Sequence, residues 1–317
     1  MEHSYLALVD DVLRNGISKN NTRSVFGRML RCDLARGGFP LLTTKRMFWR
    51  GVMEELFWFL RGSTDVDELS AKGVRIWDAN TSREFLDSRG LVAYQPGDAG
   101  PIYGFQWRHF GAEYAGRYAN YTGLGVDQLA RVIRGLRENP ESRRHVMSAW
   151  NPVDLDEMAL PPCHVGVQFS VQNNNALSLS AWCRSQDLFL GTPFNIASYA
   201  LLLHLVAHVC HMAVGDLVMF LGDVHVYEPH VSAAEEQIRR QPFELPMLLI
   251  VRDPPPRNAV VEEIIEWLET LRTEDVRLIG YRFHPAIPAE IIVGDSRRET
   301  GTRSDAPALT RISRPCP

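Results

Sequence analysis

Residues 160–227 gather most of the side chains in this chain that could do chemistry. The stretch opens with Leu160-Pro161-Pro162-Cys163-His164 and runs through Arg184-Ser185-Gln186-Asp187 and Gly191-Thr192-Pro193-Phe194-Asn195. It closes with Gly222-Asp223-Val224-His225-Val226-Tyr227. A thiol, a fixed cation, a carboxylate, an amide and a His-x-Tyr pair suit nucleophilic attack on a polar substrate. The thiolate is the attacking form of cysteine, and a guanidinium such as Arg184 nearby favours it by charge. The two prolines before Cys163 hold its backbone out of helix, giving the thiol a rigid, extended approach. Most intracellular cysteines are small buried core residues, but the polar company that follows Cys163 favours the nucleophile. His225 and Tyr227 are two apart in a strand-like run and project to one face. The five cysteines, Cys32, Cys163, Cys183, Cys210 and Cys316, have no paired or metal-ligand spacing. They read as reduced thiols of a cytosolic protein, with no metal expected.

The elements that must position these groups follow from periodicity. Apolar spacing predicts helices over 5–13, 49–60, 126–136, 195–212 (opened by Pro193, which suits a helix start) and 232–240, and a late helix over 260–271 after Asp253-Pro254-Pro255-Pro256. Strands are predicted over 25–34, 146–150, 165–171, 176–182, 217–220 and 247–251, with Gln172-Asn173-Asn174-Asn175 as a turn. The helix over 49–60 is strongly apolar but carries Glu54 and Glu55. A carboxylate there must be paired, neutralised or at an exposed end. The chain has 317 residues, 45% hydrophobic and 23% charged, with net charge −4. That balance gives no reason to expect nucleic acid or an anionic membrane as partner. No signal peptide precedes the first helix, and no unbroken apolar run is long enough to span a membrane. The nearest candidate, 196–214, carries His204, His208 and His211 and reads as a buried core helix. No internal repeat or domain boundary is visible. Residues 1–293 read as one domain, and 294–317, rich in Ser, Arg, Thr and Pro, as a disordered tail.

The stretch around Cys163 resembles thymidylate synthase, and the likeness extends over most of the chain. Phe39-Pro40-Leu41-Leu42-Thr43-Thr44-Lys45-Arg46, Ile76-Trp77-Asp78, Gly100-Pro101-Ile102-Tyr103-Gly104-Phe105-Gln106-Trp107-Arg108, Ser142-Arg143-Arg144 and Gly280-Tyr281 with His284-Pro285 resemble that family's motifs in order. Separated matches in the right order are far more specific than one short motif. The resemblance implies an α/β (α+β) fold, with helices around a mixed β-sheet that forms a homodimer interface. It implies one-carbon transfer to C5 of a pyrimidine nucleotide, with 5,10-methylenetetrahydrofolate as co-substrate and no metal. Cys163 is then the nucleophile, and Glu55 organises water and protons around the pyrimidine carbonyl, with Tyr103, Asn195 and Asp187 completing the catalytic set. Arg184 and Ser185 hold the substrate phosphate, and Arg143 and Arg144 reach it across a twofold axis from the partner subunit. Arginine's planar fork suits that bidentate contact. His225 and Tyr227 bind the sugar 3′-hydroxyl. Trp77, Asp187, Gly191 and Phe194 face the folate, Asp187 accepting protons from its pterin. His164 is structural or orients water, and the late helix reads as an insertion relative to the family core.

The implied chemistry follows from the base. C5 of uracil is a poor nucleophile until something adds at C6, and a thiolate does so because the resulting enolate charge rests on O4. Asn195 can donate to O4 and accept from N3–H, which favours uracil. An aspartate would suit the 4-amino group of cytosine, as in the related deoxycytidylate hydroxymethylases. A mismatched buried amide costs about 1–3 kcal/mol.

Three departures stand out. Trp182-Cys183 precedes Arg184 where the family commonly has Tyr-Gln. The loop carrying Arg23 is shorter than the family's phosphate-binding loop, so Arg23 is either its replacement cation or a solvated turn arginine. Beyond Val293, where family members end in a carboxylate that helps seal the site, 24 residues follow. Closure excludes water. The altered closure leaves hydroxymethylation of a pyrimidine nucleotide as the alternative, while the breadth of the match makes reductive methylation of dUMP to dTMP the first expectation. An inactive nucleotide- or RNA-binding member is the remote third, opposed by the presence of Cys163, Arg184, Asn195, His225 and Tyr227.

Overall fold

The computed structural model describes residues 1–36, 38–172 and 175–292. The middle of the expected turn, Asn173-Asn174, and the tail 294–317 lie outside the described residues. The chain begins with α1 (Glu2–Asn15), whose apolar stripe of Tyr5, Leu6, Val9 and Val12 is buried. Glu2 is buried at its start, where its carboxylate accepts from the N–H and hydroxyl groups of both Thr43 and Thr44 at 2.7–3.0 Å. Those bonds offset its desolvation. They tie α1 to the segment that carries Lys45.

Next come β1 (Ile17–Lys19) and β2 (Thr22–Asp33). Asn20 and Asn21, at φ 50° and 58°, form a two-residue hairpin turn whose left-handed backbone asparagine tolerates. The segment that the resemblance reads as a phosphate loop is thus a tight hairpin, and Arg23 lies inside a strand. The main sheet has the order β1-β2-β6-β5-β4-β3, with β3 (Val146–Ser148), β4 (His164–Gln172), β5 (Ala176–Asp187) and β6 (Ala213–Tyr227). Only β5 and β6 pair in parallel; the other neighbours are antiparallel. The sheet is mixed, with helices packed on it, as expected.

β6 runs well beyond the expected 217–220. Gly215, Asp216, Gly222 and Asp223 break its apolar pattern, but the ladder continues through them, pairing Asp33 with Asp216 and Phe26 with Asp223. The crossover between β5 and β6 is α7 (Gly191–Val209), which starts two residues before Pro193, the residue expected to open it. Among the described residues it is the one helix long and apolar enough to cross a membrane, and most of it is buried. A helix apolar on all sides is a core helix.

α2 (Trp49–Leu60) crosses the core beside α7. Short helices α3 (Asp67–Ser70) and α4 (Arg83–Ser88) follow, then α5 (Tyr103–His109), which periodicity does not reveal. α6 (Gln128–Glu138) and α8 (Val231–Ile238) match their predicted helices closely. A second sheet pairs β7 (Met247–Ile250) with β8 (Val276–Ile279), with α9 (Val261–Glu269) between them in sequence. The main sheet exposes Phe26, Met29, Trp182 and Phe220, of which Met29, Phe220 and Trp182 form one cross-strand row.

α5 reaches the core because Gly104 has no side chain. A Cβ there would stand 2.7 Å from Phe59 O and 2.8 Å from Phe59 Cα. This close approach stacks the Tyr103 ring on Phe59 at 5.0 Å. Gly104→Ala is therefore expected to destabilise the fold by about 2 kcal/mol through overpacking, read as a lower urea midpoint. An unchanged midpoint would show that α2 and α5 can separate freely.

Candidate active site

An open-sided cavity of about 200 Å³ is walled by Glu55 and Phe59 of α2, Ile76, Trp77 and Asn80, Tyr103 of α5, Leu160, Cys163, His164 and Asn195. Cys163, Glu55, Tyr103, Trp77 and Asn195, over a hundred residues apart at the extremes, meet there as the sequence suggested. A larger cleft of about 1000 Å³ lies between Arg61, the 117–125 segment and α9, but no cysteine lines it.

Cys163 directly precedes β4, and its backbone is held from two sides. Its N–H donates to the Tyr103 hydroxyl at 2.8 Å, and its carbonyl accepts from Arg184 N–H at 2.9 Å. Arg184 donates through its side chain to Pro162 O at 2.8 Å and Pro161 O at 2.9 Å, and lies over the Trp150 ring. The two prolines thus supply carbonyl acceptors for the guanidinium as well as stiffness. The expectation of a thiolate needs correction. Burial pushes the Cys163 thiol up, and although Arg184 pulls it down, the net shift is upward, with Asp187 adding to the rise. A guanidinium engaged with carbonyls does not outweigh desolvation, so the resting sulfur is a thiol. Burial, reinforced by Arg184, pushes His164 down to about 4. It is neutral, and its ring meets those of Tyr103 and Tyr199.

Glu55 faces the cavity and is not an exposed helix end. Burial pushes its carboxyl up to about 7, while a hydrogen bond from Trp77 pulls it down. That bond, indole Nε1–H to Oε1, is 2.8 Å long. A carboxyl poised near neutrality can both give and take a proton. Its neighbour Glu54 is buried on the opposite side and paired with Lys72 at 2.7 Å.

The remaining predicted site residues do not wall this cavity. Parallel pairing sets Ser185 beside Asp223 and Asp187 beside His225. His225 Nδ1 stands 3.0 Å from Asp223 Oδ1; with Nδ1 as donor, Nε2 is left to accept. The His225 and Tyr227 rings touch edge to face at 5.1 Å, so the shared face holds. Asp187 Oδ1 accepts from Phe189 N–H at 2.9 Å and Leu190 N–H at 3.2 Å, the bonding of a capping carboxylate. Gly191 and Phe194 are half-buried in the first turn of α7. Arg23 donates to Leu13 O and pairs with Glu228 at 3.5 Å, the arrangement of a structural arginine. Arg143 and Arg144 are exposed and do not line the cavity.

Periodicity misses Asn80, Phe59 and Leu160 in the cavity wall, and Lys45 behind it. The Lys45 ammonium is buried, donates to Phe189 O and lies 3.7 Å from the Phe189 ring centroid. Burial pushes it down to about 7, against the pull of Asp187. The Thr43-Thr44-Lys45-Arg46 motif was the available signal. Among the described residues no group of three His, Cys, Asp or Glu side chains could hold a metal ion.

The raised carboxyl of Glu55 has a stability consequence. Unfolded, it ionises near 4.5, and folded near 7. Between those values the folded state holds the extra proton, so stability falls as pH rises, and the full penalty is present above 7. Glu55→Gln should leave the melting temperature nearly unchanged at pH 5 and raise it at pH 8, by on the order of 2 kcal/mol in stability. Lys45 titrates identically in both proteins and cancels. Equal differences at the two pH values would contradict a buried, protonated Glu55.

Comparison with known proteins agrees with this geometry. The family model described as thymidylate synthase matches residues 3–293. Over 297 residues the chain is 51% identical to the thymidylate synthase of Equine herpesvirus 2 (strain 86/87), covering 92% of this chain and 98% of the viral protein. It is 49% identical to the thymidylate synthase of Homo sapiens over 297 residues, covering 92% and 91%. It is also 50% identical to the bifunctional dihydrofolate reductase-thymidylate synthase of Zea mays, and there it spans 54% of the relative's length. The chain belongs to the thymidylate synthase family.

Proposed function

We propose that the protein methylates dUMP to dTMP, using 5,10-methylenetetrahydrofolate, through a covalent adduct at Cys163. The observation that carries this is the convergence of Cys163, Tyr103, Glu55 and Asn195 on one cavity. The names of the relatives at about half identity support methylation, and hydroxymethylation is not carried further. When bound, the folate supplies the one-carbon unit and the hydride that completes the methyl group.

This chain's own residues do the rest. Cys163 gives its proton to water, its sulfur bonds to C6 of the base, and the C5–C6 electron pair is displaced toward O4; the S–C6 bond breaks again when the product leaves, and the sulfur regains a proton. Glu55, protonated near neutrality, gives a proton toward that oxygen, and Trp77 holds its carboxylate in place afterwards. Tyr103 fixes the backbone of the nucleophile. Asn195 reads the O4/N3 edge, Arg184 and Ser185 take the phosphate, and His225 and Tyr227 take the sugar hydroxyl. Trp77 offers the folate a flat wall beside Cys163, which fits an aromatic ring system. Asp187 Oδ2 accepts no hydrogen bond among the described residues and suits pterin N–H donors, with Gly191 and Phe194 nearby. The free thiols Cys32, Cys163, Cys183 and Cys210 support a reducing, cytosolic setting.

The second subunit is a further copy of this chain. The apolar row Met29, Phe220 and Trp182 on the open sheet face suits self-association. Arg143 and Arg144, exposed and with no acidic partner among the described residues, complete the phosphate site of the other protomer.

Two experiments test this reading. Cys163→Ser should lower turnover by about a thousandfold or more with dUMP affinity nearly unchanged, because no other nucleophile reaches C6. Product masses for the unaltered protein should show a methylated nucleotide with stoichiometric dihydrofolate; a hydroxymethylated product with tetrahydrofolate would reject methylation. Separately, Arg143→Glu and Arg184→Glu should each be inactive, while co-expressed mixtures regain activity, since one site of the heterodimer collects both lesions and the other neither. Confirmed heterodimers without activity would place Arg143 outside the partner's site.

A further inference from the structure

Gln186 lies between two residues already placed at the site, Ser185 and Asp187, yet has no part in it so far. It is 1% exposed, and its backbone pairs with Val224 of β6. Its side-chain oxygen Oε1 is buried with no hydrogen-bond partner among the described residues, which is costly for an amide acceptor. A Cβ built on Gly191 shows where its amide sits. That atom would lie 3.7 Å from Gln186 Nε2 and 3.8 Å from Asn195 Nδ2. Two amides therefore converge at the first turn of α7, and one of them, Asn195, lines the cavity beside Cys163.

Chemistry explains why such a pair would matter. An asparagine amide keeps nearly the same shape when turned over about its terminal bond. In one orientation it gives N–H to O4 and its oxygen to N3–H, matching uracil. Turned over, it gives its oxygen to a 4-amino group and N–H to N3, matching cytosine. Asn195 alone therefore cannot discriminate between the bases, and a neighbour must hold its orientation. Among the described residues, no hydrogen bond holds the Asn195 side chain.

We propose that Gln186 is a positioning residue for base recognition. Its Oε1 accepts the Asn195 Nδ2 proton that the base does not use, keeping the NH₂ group toward O4 and the oxygen toward N3–H. A turn about the terminal bond of the Gln186 amide brings Oε1 to the side of Gly191 and Asn195, where Nε2 now stands. The proposal rests on the reading of Asn195 as the group that meets the base.

The test is equilibrium binding of dUMP and dCMP to the full chain without folate, compared among Gln186→Met, Gln186→Glu and Asn195→Asp. Methionine keeps the length and burial but offers no comparable acceptor, with Gln186→Leu as a second variant should it fold poorly; glutamate keeps an acceptor. Gln186→Met is expected to reduce the dUMP-over-dCMP affinity ratio about tenfold, roughly the worth of one hydrogen bond, while Gln186→Glu retains the ratio. A merely structural glutamine would weaken both nucleotides alike and leave the ratio intact, which would overturn the proposal. A ratio lost equally in the methionine and glutamate variants would overturn it too. If Asn195→Asp fails to shift preference toward dCMP, the reading of Asn195 falls and the proposal with it. If it does shift while Gln186→Met keeps the ratio, only the role of Gln186 falls.

Discussion

Parallel neighbours need a long crossover between them, which α7 supplies, and that parallel pairing of β5 with β6 is what the site depends on. Neighbouring strands bring Ser185 opposite Asp223 and Asp187 opposite His225, and Leu188 N–H donates across to His225 O at 2.8 Å. The first turn of α7, leaving directly from the end of β5, sets Asn195 in the cavity. Antiparallel β4 on the other side of β5 adds Cys163 through its bond to Arg184 N–H. Residues scattered over five dozen positions are thereby held by backbone ladders, which are harder to displace than side-chain contacts.

Desolvation sets the chemistry of the pocket. It pushes Cys163 and Glu55 up and Lys45 and His164 down, so these four groups shift toward their neutral forms. Neutral groups are cheap to bury. A nucleotide phosphate brings charge of its own, and exposed Arg143 and Arg144, with Arg184, are the cations proposed to meet it. The resting site thus keeps its thiol protonated, and the counter-charges of a bound substrate alter the balance on which Cys163 depends.

Two surfaces give this arrangement meaning beyond one protomer. The open sheet face carries Trp182 and Phe220 directly behind the strands that hold the site. Burying that face against a second copy would stiffen β5 and β6 while bringing foreign arginines into reach. On the inner side, the amides of Gln186 and Asn195 converge at the first turn of α7, and the proposed recognition of the base would draw on a residue one layer removed from the cavity.

Local pattern was enough for several features. Period two places His225 and Tyr227 on one face, the Pro161-Pro162 pair predicts an extended approach to Cys163, and a long apolar run interrupted by histidines reads as the core helix α7. The family motifs, being contiguous, named the cavity residues Glu55, Tyr103, Trp77 and Asn195. Other features were decided only by packing. The ladder carries β6 through Asp216 and Asp223, which no apolar period marks. The turn at Asn20-Asn21 converts the Arg23 segment into a hairpin strand and commits that arginine to Leu13 and Glu228. The Tyr103 hydroxyl under the Cys163 N–H, the Trp77 indole on Glu55 and the ammonium of Lys45 on Phe189 O all join positions far apart in the chain. Their protonation follows from burial, and burial is a property of the assembled core. Sequence spacing encodes direction within an element; the distance between elements, and the water excluded between them, exists only once they have packed.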